Sequence, residues 1–396
     1  MSWMDALIWM AVSTSVLGLG HFYVYRRLVT DASLTKPARR FALVALVLLL
    51  LLVPLTFVSM RSLPRSWLTG PSFVAFGWMG LLSTWFSLLV LSDVARLALG
   101  LVARLRRGRN APDPEATVLP RRRALARLIA GGVAFGGAAL TGTGVAIAAY
   151  GFTKRRLDIT LSKLPAAFDG FKIVQVSDVH VGPTLGRAFV ESMVAAANEE
   201  QADLIAITGD LVDGTVEQLR DQTAPLAGLV ATHGAYFVTG NHEYYSGVDE
   251  WVTEVQRLGI QVLRNQSVVL RRGDAAIDLA GVTDHRAGRY GDGPDFEAAL
   301  TGRDETRELL LLAHQPAALV EAVRRDVGLQ LSGHTHGGQF WPWNWVVYLV
   351  QPVVSGLARF GRTQVYVNAG TGYWGPPVRL GTQAEVTVLT LRAPSA

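Results

Sequence analysis

Apolar residues along this chain follow two regimes that meet near Gly151. Before it they form four charge-free stretches, 6–25, 41–60, 67–92 and 128–153. Each reaches the roughly 20 residues a helix needs to cross a ~30 Å hydrocarbon core. So many long runs in so short a segment leave too little polar chain to wrap them as buried core helices. They predict a transmembrane helical bundle of four spans over residues 1–153, with Pro54 a candidate kink in the second.

From Leu157 the pattern changes to short β-rich runs alternating with helical ones. Strands are predicted at 171–177, 204–208 and 235–239, and a helix at 187–200. Asp249 is expected to cap a second helix that Gly259 ends. Residues 268–271 and 276–280 flank Gly273 and Asp274 as a hairpin, and further strands are expected at 309–313, 329–332, 364–367 and 386–391. The alternation predicts an α/β domain over 154–396 without selecting one α/β fold.

Composition agrees with this division. Of the 396 residues 50 % are hydrophobic, and a mean hydropathy of +0.27 is too apolar for a wholly water-soluble protein. Residues 1–151 carry 16 Lys and Arg against 5 Asp and Glu, a net of +11, whereas residues 152–396 carry 21 against 27, a net of −6. An acidic module lacks the basic footprint that neutralises nucleic-acid phosphates, so no nucleic-acid partner is expected. The chain has no cysteine, which excludes thiolate metal sites and disulfides.

Loop charges orient the bundle. Arg26, Arg27, Lys36, Arg39 and Arg40 follow the first stretch; Arg104, Arg106, Arg107, Arg109, Arg121, Arg122, Arg123 and Arg127 follow the third. Both loops are expected in the cytoplasm, which places the N-terminus and the C-terminal domain outside. Lys154, Arg155 and Arg156 oppose this weakly and could sit against anionic headgroups. Arg121-Arg122-Arg123 before a small-residue apolar stretch also resembles a twin-arginine export signal, although a stop-transfer flank has the same composition. A bacterial cytoplasmic membrane is the implied location.

Five short runs carry the candidate chemistry: Asp178-Val-His180, Gly209-Asp210, Gly240-Asn241-His242-Glu243, His314, and Gly333-His334-Thr335-His336. Carboxylate, amide and imidazole donors hold divalent transition metals, and each run sits where a strand should end. One D-x-H is ordinary turn chemistry. GNHE, by contrast, follows a strand directly, with no helix expected to make its polar groups a solvated face.

In this order the runs resemble the calcineurin-like metallophosphoesterase superfamily, over about Leu157 to Leu391. The resemblance implies a four-layer α/β/β/α sandwich and two divalent metal ions, Mn, Zn or Fe. One would be held by Asp178, His180, Asp210 and His336, the other by Asp210, Asn241, His314 and His334. Asp210 would bridge them, and a shared hydroxide would attack the phosphate ester. His242, which resembles the family's non-ligand histidine, is the candidate general acid or phosphoryl hydrogen-bond donor. Glu243 and Asp213 could fix the tautomers of ligand histidines or could be capping residues. Asp284 and His285 lie in a polar turn, most simply an ordinary one.

Two later segments add candidates. Phe340-Trp-Pro-Trp-Asn-Trp-Val-Val-Tyr-Leu-Val350 is expected either to touch a membrane surface beside the site or to pack as an aromatic cluster against the sandwich. The Gly-rich segment from Asn368 to Gly375 and the following Pro376-Pro-Val-Arg379 resemble the closing segment of membrane-associated members of the family, and Arg379 is a candidate phosphate ligand or a surface residue. The combined reading is a membrane-anchored binuclear phosphodiesterase. Alternatives are a nucleotide-sugar or lipid pyrophosphatase, a nuclease, and a membrane sensor that binds a phosphate ligand without catalysis. The sequence leaves oligomeric state open.

Overall fold

The computed structural model describes residues 3–60, 62–106 and 118–394, without the side chains of 3–9, 104 and 118–122. Arg107 and Arg109 of the predicted cytoplasmic loop lie outside the described residues, as do the side chains of Arg104, Arg121 and Arg122. The chain divides into two compact units.

The N-terminal unit is helical: α1 (Trp3–Tyr25), α2 (Lys36–Ser59), α3 (Arg65–Arg106) and α4 (Val118–Tyr150). Among the described residues, three segments are long and apolar enough to cross a membrane by length and composition: Lys36–Ser59, Arg65–Ala103 and Arg123–Tyr150. The predicted first span is helical as α1 but is not among those three. The fourth was drawn too long, because helix ends at Tyr150 and Phe152 already begins a strand. Side chains such as Leu48, Leu97 and Phe135 point outward at 63 %, 74 % and 81 % exposure. A surface of this kind suits hydrocarbon rather than water. Two polar contacts join its helices: Tyr23 Oη donates to Asp93 Oδ2 at 2.7 Å, and Trp78 Nε1 to His21 Nε2 at 2.9 Å.

The C-terminal unit holds two six-stranded sheets. Its elements run β1 (Phe152–Thr160), β2 (Lys172–Val176), α5 (Arg187–Glu199), β3 (Leu204–Ile207), α6 (Val216–Thr223), β4 (Ala235–Phe237), α7 (Asn241–Ser246), α8 (Val248–Arg257) and β5 (Gln261–Val262). They continue with β6 (Gln266–Arg272), β7 (Ala275–Gly281), α9 (Phe296–Leu300), β8 (Leu309–Leu312), α10 (Leu319–Arg324), β9 (Leu329–Ser332), α11 (Trp343–Val347), β10 (Gly356–Phe360), β11 (Thr363–Val367) and β12 (Ala384–Arg392). The sheet orders are β1-β12-β2-β3-β4-β5 and β10-β11-β9-β8-β7-β6.

Period-two alternation within buried strands assembles the layers. Ile173, Leu204, Ala206, Leu310 and Leu312 face the core between the sheets. Their neighbours Val174, Ile205 and Ile207 face α5, α6 and α8, which contribute Met193, Leu219 and Trp251. On the other sheet Leu309 and Leu311 face α9 and α10 through Phe296, Ala299 and Ala322. Helices thus cover the outer face of each sheet.

Three local expectations are corrected. Asp249 does not cap α8; Gly247 occupies that position, and the Asp249 carboxylate instead accepts from Arg264 Nη1 at 2.7 Å. The charged segment 152–160 is an edge strand, paired in parallel with β12. Lys154, Arg155 and Arg156 consequently meet carboxylates of their own unit. Lys154 Nζ lies 2.9 Å from Glu200 Oε1, Arg156 Nη2 2.6 Å from the same oxygen, and Arg155 Nη1 3.6 Å from Glu385 Oε2.

The inter-sheet core should dominate the stability of this unit. Leu310→Ala, at a fully buried position between the sheets, should cost about 2–5 kcal/mol through lost transfer energy and a residual cavity. Calorimetry should then show the transition of this unit lowered by about 5 °C or more.

Candidate metal centre

Parallel strands of both sheets end at one place. Asp178 and His180 follow β2, Asp210 follows β3, Asn241 follows β4, His314 follows β8, and His334 and His336 follow β9. Loops beyond the carboxyl ends of parallel strands are where α/β sheets build their sites. Five of these residues sit in the left-handed region: Asp178, His180, Asp210, His334 and His336 have φ of 51°, 51°, 52°, 72° and 52°. Asp and His tolerate that region better than most residues, but each still carries strain that surrounding structure must hold.

Among the described residues, three groups could each hold a metal ion: Asp178 with His180 and His336; Asp210 with His314 and His334; and His180 with Asp210 and His242. Within each group the donor atoms lie within 4.8 Å of one another. His180 Nε2 and His336 Nε2 are 3.0 Å apart, and His334 Nδ1 and His314 Nε2 3.2 Å. Between the pairs lies Asp210, whose Oδ2 is 3.1 Å from His314 Nε2 and 3.9 Å from His180 Nε2. His336 Nε2 lies 3.6 Å from Asp178 Oδ1.

Tautomers are set from behind. His314 Nδ1 donates to the Thr208 carbonyl at 2.7 Å, and His180 Nδ1 to Asp213 Oδ1 at 3.1 Å, so each turns Nε2 towards the centre. Asp213 Oδ1 also accepts from His242 Nδ1 at 2.6 Å. Asn241 Oδ1 is buried without a hydrogen-bond partner. A neutral oxygen left unpaired in such a place costs about 1–3 kcal/mol unless something binds it, and a divalent cation does so. Together with the imidazole and carboxylate donors, this oxygen makes a set that fits two such ions.

Two expected roles fail. Glu243 does not touch a ligand histidine: its carboxylate accepts from the amides of Gly240 at 2.7 Å, Asp210 at 3.0 Å and Leu211 at 2.7 Å. It is the capping residue of α7, a helix where none was expected after Gly240. Arg379 is neither exposed nor available to phosphate. It is fully buried, and its guanidinium donates to the carbonyls of His336 at 2.8 Å and Ala369 at 2.7 Å, and to that of Gly372. Asp284 is a turn residue, accepting from the Arg286 amide at 2.7 Å and from Gln315 Nε2 at 2.8 Å.

Close packing holds the loops together. A Cβ on Gly240 would lie 2.2 Å from Asp210 Oδ1 and 2.4 Å from the Asp210 amide nitrogen, so only glycine lets the β3 and β4 loops meet. The rim of the site comes from residues to which the sequence assigned no role at the centre, although Trp374 lies in the Gly-rich segment noted above. The rings of Tyr245 and Trp374 pack on His242 at centroid distances of 5.2 and 5.6 Å, and exposed Arg286 reaches Tyr245 Oη at 3.5 Å.

Neighbouring charges and burial oppose one another throughout this centre. Burial disfavours ionisation of Asp210, but His314 and His242 outweigh it and hold the carboxyl well below its usual range. Burial also opposes a proton on His314, and Asp210 and Asp178 overcome it, raising that imidazole well above its ordinary value. For His242 the same contest, won by Asp210 and Asp213, gives about 9. His334 falls to about 3, through burial and then the charge of His314. Burial and the negative charge of Asp210 push Glu243 up to about 7.

Residues 171–338 match the calcineurin-like phosphoesterase family. Over 96 % of its length the chain is 35 % identical to a transmembrane protein with metallophosphoesterase domain from Danio rerio, covering 87 % of that protein. An uncharacterized metallophosphoesterase from Helicobacter pylori is 39 % identical over 56 % of this chain and 59 % of its own length. Among solved structures, a phosphopantetheinyl hydrolase from Mycobacterium tuberculosis overlaps 52 % of this chain and 91 % of its own, at 11 % identity and a TM-score of 0.34. The similarity to the Danio rerio protein extends across the helical region as well as the α/β unit, and the chain belongs to the calcineurin-like metallophosphoesterases.

Proposed function

We propose that this protein is a membrane-anchored phosphodiesterase with a binuclear centre on the outer side of the membrane. Asp178, His180, Asp210 and His336 would hold one divalent ion, and Asp210, Asn241, His314 and His334 the other. The observation that carries this reading is the position of Asp210 Oδ2 between the two histidine pairs. When bound, two such ions make water nucleophilic at neutral pH and neutralise charge growing on the phosphoryl oxygens.

The chain's own residues supply the rest. His242 is held through Nδ1 by Asp213 at 2.6 Å, and its Nε2 lies 4.0 Å from Asp210 Oδ2. It is placed to give a proton from Nε2 to the departing alkoxide, with Asp213 stabilising the imidazolium beforehand. Trp374 and Tyr245 pack on the ring and limit its rotation. Arg286, exposed beside Tyr245 on the rim, would take the substrate-holding role that buried Arg379 cannot fill.

Loop charges support four spans, the last ending with the helix at Tyr150, and an α/β unit that lies outside from β1 onward. Lys154, Arg155 and Arg156 no longer argue against that orientation, because Glu200 and Glu385 of the α/β unit neutralise them.

Hydrolysis of bis(p-nitrophenyl) phosphate by the full-length protein with Mn, Zn or Fe tests the assignment. Asp210→Ala should abolish turnover, and His242→Ala should lower kcat by roughly 10²–10⁴-fold with the metals retained. Metal binding without turnover in the unaltered protein would instead point to a phosphate sensor. Arg286→Ala should raise KM about tenfold with kcat changed less, the signature of lost ground-state binding.

Metal binding should also release protons. Asp210 and Asp178 raise His314 well above its ordinary value against the effect of burial, so a proton competes with a cation for Nε2 and affinity should weaken as pH falls. Calorimetric titration at pH 7 in buffers of different ionisation enthalpy should show release of about one proton or more per centre. Heats that do not depend on the buffer would contradict the proton placement.

A further inference from the structure

The loop that carries His334 and His336 runs directly into a surface unsuited to water. From Phe340 to Leu357 the chain has no charged side chain. Trp345 is 66 % exposed, Tyr348 65 %, Leu349 83 % and Val350 73 %. These residues therefore do not form the aromatic cluster packed on the sandwich that the sequence also allowed; Phe340 alone of the rings there is buried, at 6 %. Contiguous apolar exposure of this kind marks an interaction surface.

The surface is fixed to the metal centre. Gly338 lies so close to α11 that a Cβ on it would come within 2.0 Å of Asn344 Cα. The Trp341 amide donates to the Leu380 carbonyl at 3.0 Å, and the Leu380 amide to the Gln339 carbonyl at 3.2 Å. Gln339 also exchanges two hydrogen bonds of 3.0 Å with the backbone of Trp374, whose ring packs on His242.

We propose that α11 and residues 348–350 seat in the boundary region of a lipid bilayer, and that the adjacent centre hydrolyses phosphate esters carried by lipid. Two observations select this occupant. The same chain carries helices long and apolar enough to cross a membrane, so the α/β unit is tethered where lipid is abundant. The exposed set also combines Trp and Tyr, whose rings favour the water–bilayer boundary, with a bare aliphatic tip at Leu349 and Val350. The substrate class rests on the phosphoesterase reading: water supplies hydroxyl to phosphorus and a proton to the departing alkoxide.

Because the chain has no cysteine, Leu349→Cys in the full-length protein takes a single environment-sensitive fluorophore. In phosphatidylcholine vesicles its emission should shift to the blue and be quenched by doxyl-labelled lipid. The same label at Val269→Cys on β6, 44 % exposed, should remain in water and be quenched by iodide. Trp345→Ser combined with Leu349→Ser should lower hydrolysis of hexadecyl p-nitrophenyl phosphate in the vesicles roughly tenfold and that of soluble bis(p-nitrophenyl) phosphate less than about twofold. A label at 349 that stays in water overturns the proposal. So does a blue shift without lipid quenching, which would place a second copy or the chain's own helices on the surface, and so does an equal loss on both esters. If the unaltered protein hydrolyses neither ester while the label is quenched by lipid, the phosphoesterase reading fails and takes the substrate class with it, whereas the bilayer contact stands.

Discussion

A buried carboxylate governs the geometry of this centre. Asp210 is 2 % exposed, with Oδ2 set among the Nε2 atoms of His314, His180 and His242 at 3.1, 3.9 and 4.0 Å. Its other oxygen accepts from the His242 amide at 2.8 Å. An anion so far from water survives only where positive charge is close, and the neighbouring His314 and His242 imidazoles, which outweigh burial in lowering the Asp210 carboxyl, supply it. Divalent cations meet the same need, and so the arrangement that keeps Asp210 ionised also prepares it for metal. Glu243 completes the constraint by accepting the Asp210 and Leu211 amides, locking the β3 loop to the helix after β4.

Holding the donors this way strains the backbone. An extended chain sends successive side chains to opposite faces, whereas a left-handed residue turns the chain back over its strand end. Asp178, His180, Asp210, His334 and His336 all do so, at about 1–2 kcal/mol each relative to ordinary conformations. The buried cores that alternate above and below the strands hold those ends in place, and the strain falls on the residues that face one another across the centre. The fold stabilises this unit chiefly far from the site, and the site uses part of that stability.

Much of this was legible in the sequence because the central strands are unbroken apolar runs and the donors follow them directly. LIAI before Gly209-Asp210, and LLLL before His314, give strand and candidate ligand together. What escaped depended on partners distant along the chain. FTKRR, the first half of β1, looked like the end of a span and its flank because its strand character comes from pairing with β12, and its cations find Glu200 and Glu385 only once folded. The helix after Gly240 spans six residues, too few for a helical period to show. Arg379 read as a phosphate ligand or a surface group because no local pattern foretells a guanidinium enclosed by carbonyls. The rim formed by Tyr245, Trp374 and Arg286 likewise exists only in three dimensions.

One loop bears both two of the site's histidines and its most exposed apolar surface. A flexible linker between them would let the surface bind anything without consequence for the site. Here the link is short and rigid: Gly338 admits no side chain against α11, and Gln339 is bonded to the Trp374 backbone beside His242. Whatever covers Trp345, Tyr348 and Leu349 therefore sets the direction in which the centre faces. Orientation of this kind restricts which phosphate esters can reach the centre, so selectivity can arise from the rigid placement of a surface as well as from contacts within a pocket.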